Sequence, residues 1–200
     1  MRAWISLPLI FLIVLCLWIL NAYSLDRCLE FKTDIRIQYT KYFGSGYPFH
    51  YAMGKIQQES NCRPNVTAFD GGKGVSQFMP ATELYIEGLM NEGNLNMYNP
   101  EHAIKAQAFY MKQLHKQNKQ GNLWIDEMFY NSGAGTTKKE ATRAGSWDYE
   151  EMKSVCKRKV LKLKSGKLLD LCSVGYDYPV RIFKYGNLYR EHGDGEWKYW

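Results

Sequence analysis

The clearest pattern in the chain is an apolar stripe at three- and four-residue spacing, formed by Ala103, Ala106, Tyr110 and Leu114. This spacing predicts an amphipathic helix. The sequence Asn99-Pro100-Glu101 is a typical helix start, because it offers an Asn cap, a proline at the first helical position and an acid in the first turn. We expect this helix to run to about Asn118.

Further helices are expected on both sides of this stripe. They are predicted over residues 26–42, 49–60, 123–131, 147–157 and 177–190, with short helical pieces from about residue 75 to residue 89. Gly133 and Gly135 are expected to stop the helix over 123–131. Leu and Lys alternate over residues 160–171 around Ser165-Gly166, which predicts a β-hairpin. The predicted fold is therefore mainly α, with a small β-hairpin near the C-terminus.

The N-terminus has the pattern of an export segment. Arg2 is followed by an apolar run over residues 3–20 and then by Ala22-Tyr23-Ser24, with small residues at alternate positions. This pattern predicts a secretory signal over residues 1–24 that is cleaved after Ser24. The alternative is a retained anchor, in which residues 3–20 lie in the inner membrane. Either way, we expect an exported protein of the periplasm or cell envelope, with one domain over residues 25–200.

Cysteine usage agrees with export. The exported part would hold an even number of cysteines, Cys28, Cys62, Cys156 and Cys172. An even count in an exported protein predicts disulfides, and four cysteines allow three connectivities. Cys28 with Cys62 is the preferred first pair, since it ties the first helix to the end of the second. The sequence has no CxxC and no HExxH spacing, so no metal site is predicted.

Composition and charge narrow the class of protein. The chain has 200 residues, 46% hydrophobic and 23% charged, which excludes a wholly disordered chain and leaves room for one ordinary domain with an appendage. The net charge is +6, and the basic excess lies in the C-terminal third. It suits an anionic cell-wall polymer or a membrane surface, or it is simply a solvated basic face. Nucleic acid is not expected as a partner of an exported protein.

Glu59 is the first candidate for chemistry. Ala52, Ile56 and Glu59 share one face of the predicted second helix, and that face is otherwise apolar. An acid at the end of a buried stripe loses part of its hydration, which raises its pKa. A carboxyl group that stays protonated near neutrality can act as a general acid.

Motifs beyond Glu59 carry a family resemblance. In chain order they are Glu59-Ser60, the glycine-rich stretch 71–74, Gln77-Phe78-Met79-Pro80-Ala81-Thr82, Tyr130-Asn131-Ser132-Gly133 and the segment 178–182. In this order and spacing they resemble the signature of the lysozyme-superfamily lytic transglycosylases, which are related to goose-type lysozymes. The resemblance implies a lysozyme-like, α-rich fold that needs no cofactor.

The resemblance also implies site residues. Glu59 matches the single catalytic acid and base. Substrate-binding positions are implied at Ser60, Gln77, Met79, Tyr130, Asn131 and Tyr178. One position departs from the family, because Ala68 stands where a serine near the reacting sugar is common, and Thr67 lies beside it.

The implied function is a peptidoglycan lytic transglycosylase. Such an enzyme cleaves the β-1,4 bond between N-acetylmuramic acid and N-acetylglucosamine and forms a 1,6-anhydro ring. A muramidase and an inactive cell-wall-binding assembly module are the alternatives. Asp70 is the only acid in the loop between the first motifs, and its neighbour Gly71 favours a turn residue. Partners in secretion, conjugation or phage assembly are open possibilities.

The stretch 134–176 is the least family-like part of the chain and reads as a basic insertion. Seven basic residues fall in fifteen positions without an acid: Lys153, Lys157, Arg158, Lys159, Lys162, Lys164 and Lys167. A hairpin turning at Ser165-Gly166 pairs Leu163 with Leu168 and places Cys156 opposite Gly175. A Cys156–Cys172 bridge then needs a bulge or a helical approach from one side.

Overall fold

The computed structural model describes residues 27–162, 166 and 168–191. The predicted signal or anchor over residues 1–24 lies outside this part of the chain. Among the helices in the described ranges, none has the length and apolar character needed to cross a bilayer.

Helices dominate the described part of the chain. In chain order they are α1 (Lys32–Phe43), α2 (Phe49–Ser60), α3 (Pro80–Met90), α4 (Pro100–Gln117), α5 (Leu123–Ser132), α6 (Ala134–Ala144), α7 (Tyr149–Ser154) and α8 (Leu171–Gly186). Strands β1 (Val160–Lys162) and β2 (Leu168–Asp170) form an antiparallel hairpin before α8, and a 3-10 turn (Asn187–Tyr189) follows it. The mainly α fold with a small late hairpin is confirmed.

Local capping signals account for the helix ends that were predicted well. Asn99 caps α4, because its side chain accepts hydrogen bonds from the backbone N–H groups of Glu101 and His102. At the end of α2, Asn61 adopts the left-handed conformation, and its N–H donates to the carbonyl of Gln57. Helix α2 begins and ends at the predicted residues, 49 and 60.

Several helix predictions differ from the structure; α1, for example, begins at Lys32 and not at residue 26. Gly133, with a φ of +80°, does end α5, but Gly135 lies inside α6, a helix that the sequence analysis did not predict. Helix α8 begins at Leu171, well before residue 177, because the Asp170 side chain accepts from the N–H of Cys172 and caps it there. The stretch before Pro80 is a turn, so the helical pieces predicted from residue 75 reduce to α3.

Helices α2 and α8 pack backbone against backbone at the centre of the molecule. A Cβ on Gly54 would lie 2.4 Å from the carbonyl oxygen of Ile182, and one on Gly186 would lie 2.5 Å from the Tyr51 ring. Only glycine permits so close a crossing. The crossing sets the spacing between the end of α2, which carries Glu59, and the α8 turn that carries Tyr178.

Both predicted disulfides are present. Cys28 and Cys62 are bonded with their Cα atoms 5.2 Å apart. Cys156 and Cys172 are bonded with their Cα atoms 6.0 Å apart. Because Cys172 lies in the first turn of α8, the helical approach from one side that this bridge needs is confirmed.

The predicted hairpin register is wrong by one residue. Leu168 pairs with Lys162, and Val160 pairs with Asp170. Leu163, the expected partner of Leu168, lies outside the described residues. The disulfide and the cap of α8 hold the second strand at its C-terminal end, whereas the expected register rested on the turn alone.

A buried polar network attaches the basic stretch 134–176 to the rest of the domain. The Arg158 guanidinium forms a bidentate pair with Glu140, with both N–O distances 2.7 Å. It also donates to the hydroxyl of Ser132 in α5, and Tyr176 of α8 donates to Glu140. Arg158 is therefore a packing residue and not part of a solvated face. The side chains of Lys153, Lys157, Lys159 and Lys162 are exposed.

Candidate active site

The last turn of α2 brings Glu59 to the floor of a cleft. The glycine-rich stretch that follows α2 folds back over the helix end and is held by Ser60, whose hydroxyl donates to the carbonyl of Val75 at 3.1 Å. From the other side, the hydroxyl of Tyr178 in α8 donates a hydrogen bond to Glu59 Oε1. Glu59 is thus half-buried and held in place by a tyrosine 119 residues away in the chain.

The environment of Glu59 suits a group that must both give and take a proton. Burial raises the pKa of Glu59 from 4.5 to about 7, while the Tyr178 hydrogen bond and the Lys55 ammonium act to lower it. Glu127 and Asp70 add smaller upward contributions to this pKa. Near neutral pH, the carboxyl group therefore exists in comparable amounts in its protonated and ionised forms.

The cleft has a volume of about 320 Å³ and contains most of the predicted site residues. With Glu59, its walls include five of them: Gln77, Met79, Tyr130, Asn131 and Tyr178. The same walls include Gln58, Ala68, Asp70, Val174 and Arg181, which the sequence analysis did not predict as substrate-binding residues. The tertiary structure therefore brings together residues from α2, the following loop, α5 and α8.

Ser60 is the predicted substrate-binding residue that the cleft does not include. Its side chain is only 4% exposed, and its hydroxyl contacts the carbonyls of Ile56 and Val75. This placement does not fit the direct substrate contact expected of Ser60. The hydroxyl instead joins the end of α2 to the loop that forms the cleft wall.

Two further hydrogen bonds shape the cleft walls. Gln77 has a φ of +52°, and its amide donates to the carbonyl of Gly74 at 2.8 Å. A Cβ on Gly72 would lie 2.9 Å from the Gln77 side-chain oxygen, so any larger residue there would displace the Gln77 side chain. Tyr130 donates to the carbonyl of Ser76 at 2.8 Å, which ties α5 to the same segment.

The loop over residues 67–70 contains the position at which the family commonly has a serine. Ala68 lines the cleft, so no hydroxyl faces the site at that position. The neighbouring Thr67 bonds the hydroxyl of Tyr98 at 2.8 Å, outside the cleft. The Thr67 hydroxyl therefore does not take the place of the missing serine hydroxyl in the cleft. Asp70 is exposed, and its carboxylate accepts from the N–H of Gly72, as expected for a turn residue.

The family comparison decides what kind of domain this is. Residues 45–153 match the family described as the transglycosylase SLT domain, which is more than half of the chain. The chain belongs to the SLT domain family. The match contains Glu59, Gln77 and Tyr130 and ends before the hairpin and Tyr178. The family resemblance stated from the sequence motifs is confirmed. A search of curated protein sequences found no match.

Solved structures show the same fold. The SLT domain resembles the 70 kDa soluble lytic transglycosylase from Escherichia coli, with a TM-score of 0.60 and 22% identity, over 78% of this chain and 24% of that one. A complex of the 70 kDa soluble lytic transglycosylase with bulgecin A gives a TM-score of 0.59, at the same identity and coverage. An inactive glutamate-to-glutamine mutant of lytic transglycosylase Slt from Pseudomonas aeruginosa gives a TM-score of 0.56 and 16% identity, over 76% of this chain and 23% of that one. The chain thus spans about a quarter of the length of these relatives, and the likeness establishes the fold.

Beneath the cleft, the SLT domain contains a buried ion pair that the sequence analysis missed. Lys55 Nζ lies 2.7 Å from Glu127 Oε2, and both side chains are 0% exposed. The ammonium also lies 4.3 Å from the centroid of the Tyr130 ring. Lys55 lies four residues before Glu59 on α2, so its charge acts on the same carboxyl group. The sequence offered one sign of this ion pair, a lysine directly before Ile56 of the apolar stripe of α2.

Replacing Tyr178 with phenylalanine tests the hydrogen bond to Glu59. The bond stabilises the ionised carboxylate, so its loss raises the pKa of Glu59. We expect the alkaline limb of the activity–pH profile to move up by about one pH unit and the maximal rate to fall about tenfold. The measurement is the initial rate of glycan cleavage from pH 5 to pH 9.

A matched tyrosine provides the control. Tyr189 donates to Gln57 of α2 at 2.8 Å, and neither residue lines the cleft. Tyr189→Phe removes the same kind of bond to the same helix and should leave the pH profile in place. Equal profiles for Tyr178→Phe and wild type would contradict the assigned contact.

Proposed function

We propose that this protein is a peptidoglycan lytic transglycosylase that cleaves the bond between N-acetylmuramic acid and N-acetylglucosamine. The observation that carries the proposal is Glu59, a carboxyl group with a pKa of about 7 on the floor of a cleft of an SLT domain. The relatives of the same fold are named as lytic transglycosylases, which supports this substrate class.

The proposed reaction uses one carboxyl group twice. Protonated Glu59 donates its proton to the glycosidic oxygen, and the bond from that oxygen to the muramic acid C1 breaks. The substrate's own N-acetyl group stabilises the positive charge that develops at C1. Ionised Glu59 then takes the proton of the C6 hydroxyl, whose oxygen bonds to C1 and closes the 1,6-anhydro ring. No water is consumed, and Glu59 ends in its starting protonation state.

The position of Asp70 favours this route over hydrolysis. Ordinary glycosidases use two carboxylates that flank the reacting bond. Asp70 is the second acid in the cleft walls among the described residues, and it is exposed and bonded to its own turn. A muramidase with Asp70 as its base remains the second candidate, because Asp70 does line the cleft. An inactive wall-binding module is disfavoured by the desolvated Glu59 and its tyrosine contact, which binding alone does not require.

Analysis of the released products tests the proposed function. The purified protein is incubated with peptidoglycan sacculi, and the soluble muropeptides are analysed by mass spectrometry. We expect products with 1,6-anhydro ends, each lighter by one water than the hydrolytic product and resistant to borohydride reduction. Reducible ends would establish the muramidase. The absence of products, with sacculus binding intact, would establish the binding module.

We further propose that the protein works outside the cytoplasm. Its substrate lies in the cell envelope, and its two disulfides are typical of an oxidising compartment. In this proposal residues 1–24 are an export signal or an inner-membrane anchor, and residues 25–200 form the catalytic domain. The exposed lysines of the stretch 134–176 face an anionic envelope surface.

A further inference from the structure

A second cavity, the basic pocket, lies outside the catalytic cleft and is lined mainly by cations. It has a volume of about 230 Å³ and lies between α6 and the segment that leads into β1. Among the described residues that line it, Glu140 is the one acid, and five are basic, which gives a net charge of +4. The five cations are Lys139, Arg143, Lys157, Arg158 and Lys159.

The carboxylate of the basic pocket is already neutralised. Glu140 is buried, and both of its oxygens accept hydrogen bonds from the Arg158 guanidinium. Glu140 also accepts a hydrogen bond from the hydroxyl of Tyr176. The charges of Glu140 and Arg158 therefore cancel, and the excess charge of the pocket comes from the other four cations.

These four cations have no carboxylate of their own in the part of the chain that the structure describes. The Arg143 guanidinium donates to the carbonyl of Val155 at 2.9 Å, which holds it at the pocket without neutralising its charge. Lys139, Lys157 and Lys159 are exposed, and no described carboxylate lies within ion-pair distance of them. Like charges around one small cavity repel one another, and a bound anion relieves this repulsion. The cluster therefore indicates a site for an anionic ligand.

The hairpin beside the basic pocket indicates which anion this is. Lys159 is followed directly by β1, in which Val160 and Leu161 are exposed, and Leu168 of β2 is exposed as well. A water-soluble polyanion would leave these apolar side chains in water. The interface of a bilayer suits both features, because anionic phosphate groups lie directly above the acyl chains. Lysine and arginine both form strong hydrogen bonds to phosphate oxygens.

The hairpin is fixed beside the basic pocket. The disulfide between Cys156 and Cys172 joins the segment before β1 to the first turn of α8. The N–H of Leu171 donates to the carbonyl of Lys159 at 3.2 Å, which extends the pairing of the two strands to the pocket itself. The cations and the exposed apolar side chains therefore keep one relative position, and a single surface can contact both.

We infer that the basic pocket binds the phosphate group of an anionic phospholipid, while Val160, Leu161 and Leu168 enter the interface of the same bilayer. The catalytic domain then works while it is docked on a membrane surface. This inference rests on the proposed location in the cell envelope and not on the cleavage reaction.

Acylation of lysines in the presence of vesicles tests the docking. The full chain is mixed with vesicles of equal parts phosphatidylglycerol and phosphatidylcholine, or of phosphatidylcholine alone, and the acylation rate of each lysine is measured by mass spectrometry. With lipid at about ten times the Kd, we expect Lys139, Lys157 and Lys159 to react about tenfold more slowly on the anionic vesicles only. Raising the salt concentration to about 1 M should abolish this protection.

Two lysines serve as internal controls in the same sample. Lys41 in the last turn of α1 and Lys116 in the last turn of α4 are exposed and lie outside the basic pocket and the hairpin. Their acylation rates should be the same with either kind of vesicle. Because each lysine is measured separately, the comparison holds whether or not residues 1–24 are retained as an anchor.

Matched variants test the two parts of the docking site. Lys139→Gln with Lys157→Gln removes two charges from the basic pocket and should require at least about tenfold more anionic lipid for the same protection of Lys159. Leu168→Ser removes an apolar group from the hairpin and should also require about tenfold more lipid. Leu84→Ser in α3 is its control, because the two leucines are 66% and 69% exposed and Leu84 lies outside the hairpin. It should leave the protection unchanged.

Other ligands give different outcomes. Equal protection by glycerophosphoglycerol, the soluble headgroup, or by an isolated phosphodiester polymer of the cell wall would overturn membrane docking. Equal protection by both kinds of vesicle, or by neither, would overturn it too. Glu59→Gln should show the same protection as wild type, because docking requires no cleavage. A protein that is inactive on sacculi but protected by anionic vesicles would therefore overturn the proposed activity and support the docking.

Discussion

Replacing Glu59 with glutamine is expected to reduce glycan cleavage by at least about 100-fold while the fold stays intact. The amide keeps the size of the side chain and can still accept the Tyr178 hydrogen bond. It can neither donate the proton that the leaving oxygen needs nor take up the proton of the C6 hydroxyl. The measurement is the initial rate on sacculi, together with sacculus binding, which should persist.

The same substitution has a pH-dependent effect on stability. The pKa of Glu59 is about 7 in the folded protein, compared with 4.5 for an ordinary glutamate. Between these two pH values the folded state binds more protons than the unfolded state, so the free energy of unfolding of wild type falls as pH rises. Glu59→Gln does not titrate. Its melting temperature should match that of wild type near pH 4 and exceed it increasingly up to about pH 7.

Asp70→Asn is the matched control for the catalytic assignment. Asp70 lines the same cleft, and the substitution is again acid to amide. If one carboxyl group performs the reaction, Asp70→Asn keeps most of the activity. More than a tenth of the wild-type rate in Glu59→Gln would show that the wrong acid has been assigned. Inactivity of a folded Asp70→Asn would favour the two-carboxylate hydrolase.

Replacing Glu127 with leucine should be the most destabilising single change. It leaves the Lys55 ammonium buried without its carboxylate, since the pair is 0% exposed. Breaking a buried pair in this way costs about 3–5 kcal/mol of unfolding free energy, a large share of the stability of a domain of this size. The measurement is chemical denaturation of wild type and variant at pH 7.

Two comparisons separate the ion pair from a simple packing defect. The double variant Lys55→Met with Glu127→Leu removes both charges and should recover most of the lost stability, because no charge then stays buried alone. The partly exposed pair Lys105–Glu92, with an N–O distance of 2.6 Å, is the surface control. The Glu92→Ala variant should lose about 1 kcal/mol or less of unfolding free energy. A double variant as unstable as Glu127→Leu would contradict the assignment of the loss to the unpaired charge.

The sequence by itself determined the elements whose signals are local. The Asn99 cap acts within one helical turn, so the start of α4 could be predicted closely, and α2 also has the predicted bounds. The order of the motifs identified the family and pointed to Glu59. Export and an even number of cysteines pointed to disulfides, and the position of Cys62 at the end of α2 favoured its pairing with Cys28.

Only the tertiary structure decided the surroundings of Glu59. Tyr178 is 119 residues away, and its contact depends on the Gly54–Gly186 crossing of α2 and α8. Whether Ser60 faces the cleft or the Val75 carbonyl depends on how the loop folds back, which no spacing along the chain records.

Charged residues show the same limit most clearly. Lys55 and Arg158 look in the sequence like ordinary surface cations, yet one is buried with Glu127 and the other joins Glu140 to α5 and α8. A charge is buried only where a partner meets it, and each of these partners comes from a different element of the fold. Helix ends depend on hydrogen bonds between residues that are close in the chain, so the sequence records them. Buried ion pairs depend on how separate helices pack against each other, so the sequence alone does not record them.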